Sequence, residues 1–79
     1  MNFKAEFDAI AKEANPQSPR ATLNISPNGD DWHNAFSMWV ALPLGDYFTA
    51  TGDSLESVFA NAKDQIALAY GTYPAYSAP

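Results

Sequence analysis

The spacing of apolar residues changes period twice along this chain, and that switch limits the folds open to it. Phe3, Phe7, Ile10 and Ala14 fall at i, i+4, i+7 and i+11, one stripe of an α-helix, while Lys4, Asp8 and Lys12 take the other side. The spacing predicts a helix over about residues 3–14. Asn15-Pro16-Gln17-Ser18-Pro19 ends it, because proline has no amide to donate and pushes its predecessor out of the helical region.

From Ala21 the period is two. Ala21, Leu23 and Ile25 alternate with Thr22, Asn24 and Ser26, as in a strand with one buried face. Pro27-Asn28-Gly29-Asp30 marks a turn, and residues 32–42 alternate again. Trp32, Phe36, Met38, Val40 and Leu42 take one face there, and His33, Ala35, Ser37, Trp39 and Ala41 the other. Pro43-Leu44-Gly45-Asp46 is a second turn. A third strand follows over Tyr47–Thr51, with Phe48 and Ala50 opposite Tyr47, Thr49 and Thr51.

Helical spacing then returns. In Gly52-Asp53-Ser54-Leu55-Glu56, Asp53 is placed to cap the first free amides of a helix and Glu56 to reach back three residues later. Leu55, Val58, Phe59, Ala62, Ile66, Ala69 and Tyr70 form its apolar face, and Gly71 is placed to end it in a left-handed conformation. The order is α-β-β-β-α. Three strands joined by short turns form an antiparallel meander, and two amphipathic helices are available to cover one of its faces. The expected fold is α+β, a two-layer sandwich over residues 1–71, with a Pro- and Tyr-rich tail over 72–79 that frays unless its tyrosines dock on the domain.

With 79 residues the chain has room for one core, and five Phe, four Tyr and two Trp give it the means to build one without staples. It has no cysteine, which removes disulfides, thiolate nucleophiles and cysteine zinc sites, and points to a reducing, cytoplasmic setting. Neither a signal peptide nor a membrane span is expected from the mixed residues at its start. Nine acidic residues against four basic ones give a formal charge of -5. Such a surface disfavours nucleic acid and accepts a basic protein partner.

Chemistry has few places to reside. His33 is the one histidine, and with Asp30 or Asp31 beside it a serine triad would still need a nucleophile elbow, which is missing. Asp30, Asp31 and His33 are hard and borderline metal-ligand types, yet they lack the calcium-loop pattern and read more simply as a solvated turn. Asn28-Gly29 is a turn and not a phosphate cradle. No cofactor, metal site or catalytic residue is therefore assigned. What remains is the outer face of the sheet, where the alternation puts Trp39 together with Tyr47, His33 and Thr49. An outward tryptophan suits a binding hot spot, since it buries much area for little side-chain entropy; the alternative is that a helix or the tail folds over it.

Two resemblances bear on function. Gly52 to Lys63, preceded by strands broken at Leu42-Pro43-Leu44-Gly45, resembles the partial ribonuclease-H-like domain of HicB-type antitoxins over about residues 21–68. That resemblance implies a non-catalytic protein that covers a toxin's active surface. The chain departs from it in the N-terminal helix, in the extra Leu44 and in ending without a DNA-binding module, so operon autoregulation is not carried over. The element order also resembles the double-stranded-RNA-binding domain, a family that meets RNA phosphates with lysines at the start of its last helix. Ser54, Leu55, Glu56 and Ser57 stand there instead, and Asp53 and Glu56 would repel the backbone. The expectation is a small non-enzymatic module that sequesters or inhibits a protein partner. An RNA-binding module and a structural protein self-associating through its strand edge are the alternatives.

Overall fold

Residues 2–25, 36–72 and Tyr76 are described by the computed structural model. Helix α1 (Phe3–Ala14) starts at Asn2, whose side chain accepts a hydrogen bond from the Ala5 amide at 3.1 Å. It stops at Asn15, whose amide donates to the Ala11 carbonyl at 3.0 Å. Asn15 is buried and holds more than its own helix: Nδ2 donates to the Leu42 carbonyl at 3.4 Å, and Oδ1 accepts from the Ser18 amide at 3.3 Å. A residue that looks in sequence like a plain terminator thus fastens the end of α1 to the chain leaving the sheet.

The sheet consists of β1 (Ala21–Ile25), β2 (Phe36–Ala41) and β3 (Tyr47–Gly52), antiparallel and in the order β1-β2-β3. The rungs Ala21–Val40–Phe48 and Leu23–Met38–Ala50 belong to its inner face. Met38 and Val40 are fully buried there, while Ile25, at the end of an edge strand, is exposed. Residues 32–35 of the expected second strand and the expected turn over Pro27–Asp30 lie outside the described residues. Leu42 leaves the strand but stays buried, its amide donating to the Asp46 carbonyl at 2.8 Å. Leu44 and Gly45 cross the turn with φ of 64° and 80°.

Helix α2 (Leu55–Thr72) lays Val58, Phe59, Ala62 and Ile66 on the inner face, where they join Ile10 and Ala14 of α1 in one core. Phe3, half exposed, brings its ring to 6.4 Å from that of Phe59. The α-β-β-β-α order and the α+β architecture follow the sequence pattern, with both helices on one side.

Two local expectations are corrected. The cap of α2 is Ser54, not Asp53: Ser54 Oγ accepts from the Ser57 amide at 3.1 Å and its carbonyl from the Val58 amide at 3.0 Å. Asp53 instead accepts from the Ser57 hydroxyl at 3.3 Å, a bond to a side chain that leaves the helix amides to its neighbour. At the other end Gly71 stays helical and α2 runs on to Thr72. Tertiary bonds hold this last turn: the Tyr70 hydroxyl donates to the Ala14 carbonyl at 2.8 Å, satisfying an acceptor that the end of α1 leaves open. Tyr76 is buried, sits edge-on to Tyr70 at 5.6 Å and hydrogen-bonds the Asp46 carboxylate, so the tail docks at this residue.

Two measurements test this packing. Phe59→Ala should lower stability by about 3–5 kcal/mol through the cavity it leaves, read from urea unfolding; a loss no larger than that of a surface substitution would mean the face is misassigned. Ser54→Ala should cost about 1 kcal/mol and Asp53→Ala less, and the reverse order would return the cap to Asp53.

Candidate functional site

Because Met38 and Val40 point into the core, the intervening residue must point away from it. Trp39 therefore stands on the outer face, opposite Thr22 on one side and Thr49 on the other. The next rung of that face is Asn24–Ser37–Thr51, and Tyr47 pairs with Ala41 at the other end. Tyr47 lies diagonally across from Trp39, and the two rings stack at 6.0 Å with 27° between their planes. Tyr47 is 62% exposed and Trp39 half-buried, so the pair forms a raised aromatic step.

Three of the four residues expected at this face are thus brought together: Trp39, Tyr47 and Thr49. His33 lies outside the described residues, as does Trp32. The alternative in which the tail covers Trp39 is not what Tyr76 does, since it joins the core cluster on the helix side. Thr22, Asn24, Ser37 and Thr51 complete the face. Their membership follows from the register, which the sequence alone does not set.

Within β1, β2 and β3 this face carries no charged side chain, and Arg20, on the same parity just before β1, stands at its margin. The described residues of this face offer hydroxyls and one amide as donors and acceptors around a stacking surface. Among the described residues no group of three or more His, Asp or Glu is placed to hold a metal. No described helix is long and apolar enough to cross a membrane. Comparison with protein-family models, curated proteins and solved structures gave no match.

The stack gives Trp39 its own test. In a Trp32→Phe background, Tyr47→Ala should change stability by less than about 1 kcal/mol while increasing quenching of Trp39 by acrylamide. Unchanged quenching would mean that something other than Tyr47 shields the indole.

Proposed function

We propose that the chain is a small non-catalytic module that binds a protein partner through the outer face of its sheet, sequestering or inhibiting it in the manner of HicB-type antitoxins or small phage-encoded inhibitors. One observation carries this: Trp39 stacks on the exposed Tyr47 within a hydroxyl-bearing face on the side of the sheet opposite the core. Such a step suits an interface, because stacked aromatics bring large area at low entropic cost. The resemblance of residues 21–68 to the antitoxin domain points the same way. The cysteine-free composition fits work in a reducing, cytoplasmic compartment.

The duplex-RNA alternative has weaker support. The first turn of α2 carries Glu56 and no lysine, and Asp53 stands just before it.

A partner captured from the native host and then titrated in purified form provides the test. Trp39→Ala and Tyr47→Ala should each weaken its binding by about 2 kcal/mol or more, with the fold retained by circular dichroism. Affinity unchanged by both substitutions would remove the sheet face from consideration.

A further inference from the structure

A second concave surface lies elsewhere, an open groove of ≈ 940 Å³ between α1 and the N-terminal half of β1. Ala5, Ala9 and Lys12 line it from one stripe of the helix, and Arg20, Thr22 and Trp39 from the sheet side. It sits beside the outer edge of β1, which among the described residues pairs only with β2. The parity of that edge can be derived. The Arg20 carbonyl accepts from the Ala41 amide at 2.9 Å, and so the alternate pairs Thr22–Trp39 and Asn24–Ser37 are the ones that exchange hydrogen bonds with β2. Ala21, Leu23 and Ile25 then turn their backbone N–H and C=O groups outward, Ala21 within the groove.

Charge at the groove is opposite in sign to that of the chain. Lys4 is paired with Asp8 at 3.3 Å and Lys63 with Glu6, whose hydrogen bond and charge hold the Lys63 ammonium above its usual pKa. Lys12 and Arg20 form no ion pair among the described residues, and both are exposed at the groove. Among the described residues, two cations without an ion pair thus flank an unpaired strand edge in a protein of charge -5, and the one carboxylate in the groove lining, Asp8, is paired with Lys4. The small side chains of Ala5 and Ala9 leave space where a fourth strand would run, at about 4.8 Å from β1.

We propose that this groove takes an extended acidic peptide segment of a partner protein, added to β1 as a fourth strand with its carboxylates on Lys12 and Arg20. Strand addition uses the outward groups of Ala21 and Leu23 for affinity and the two cations for selection. A second copy of this chain fits less well: its own edge, Ala21–Ile25, carries no carboxylate, and its charge has the same sign. The proposal goes beyond the sheet-face function; the two surfaces share Thr22 and Trp39, and Tyr47, which does not line the groove, tells them apart in the test.

The test titrates the Trp32→Phe chain with a blocked heptapeptide of alternating glutamate and valine, followed by amide chemical shifts and Trp39 fluorescence. Saturable shifts at Ala21 and Leu23 are expected, and Lys12→Glu with Arg20→Glu should weaken binding at least tenfold with the circular dichroism spectrum kept. N-methylation of the peptide on one parity should abolish binding, and on the other leave it intact; Tyr47→Ala should have no effect. The proposal is overturned by an absence of shifts at millimolar peptide, by equal binding of the matching lysine–valine peptide, or by indifference to N-methylation parity. It is equally overturned if decanoate shifts the same amides as strongly, which would make this a site for small anionic amphiphiles, or if the shifts follow protein concentration alone, which would assign the edge to a second copy.

Discussion

The last residue of β3 and the first turn of α2 approach so closely that there is no room for a side chain at Gly52. A Cβ on Gly52 would lie 2.6 Å from the Val58 amide nitrogen and 2.9 Å from Ser57 Cβ. Backbone cannot yield at such distances, so only glycine lets the helix begin where it does. With its first turn held against the sheet and capped by Ser54, α2 has its direction set at its origin. Val58, Phe59, Ala62 and Ile66 fall over Met38, Val40 and Ala50 as a consequence. The first helix fills what α2 leaves. Ile10 and Ala14 complete the same core, and the bonds from Asn15 to Leu42 and from Tyr70 to Ala14 tie its C-terminal end to the sheet and to α2.

Placing both helices on one side decides what the other side can be. A three-stranded sheet has two faces, and the inner one takes the long apolar side chains, leaving threonines, serine and asparagine outside. Trp39 is the exception, because its strand parity sends the largest side chain of β2 outward. The stack on Tyr47 shields part of the indole, Trp39 also borders the groove beside α1, and the residue is half-buried on this face. The raised aromatic step is therefore a direct product of the core's own parity.

Much of this was legible in the residues. Apolar stripes at helical spacing marked the buried faces of both helices, and the alternation of 36–41 put Trp39 outward before any register was known. What escaped depended on distances that letters do not carry. Asp53 and Ser54 are both good capping residues, and which one reaches the Ser57 amide is settled by the turn after Gly52. Gly71 has the residue type of a left-handed stop, yet tertiary bonds from Tyr70 and the docking of Tyr76 accompany a further helical residue. Leu44 gave no sign of its positive φ, since leucine pays about 1–2 kcal/mol to stand there. The pair of left-handed residues at Leu44 and Gly45 matches the twist of the flanking strands, and hairpin geometry outweighs the preference of the side chain. The groove was invisible because its two walls are ten residues apart in sequence and meet only through the placement of α1.

Electrostatics looks different at two ranges. Seen from afar the protein is a body of charge -5, which favours approach to a basic surface. Within a Debye length of about 8 Å the local arrangement dominates. There the acidic excess is partly consumed, with Glu6 and Asp8 each holding a lysine, while Lys12 and Arg20 form no ion pair among the described residues beside the edge of β1. The strand residues of the outer face contribute no charge, and Arg20 at its margin adds one positive charge. If both proposed surfaces are used, a partner with a basic body and a short acidic extended segment would meet all three conditions: the net charge would draw in the body to stack on Trp39 and Tyr47, and the segment would pair with β1. Such division of labour separates the rate of encounter, governed by the long-range field, from the lifetime of the complex, governed by the aromatic step and the strand edge.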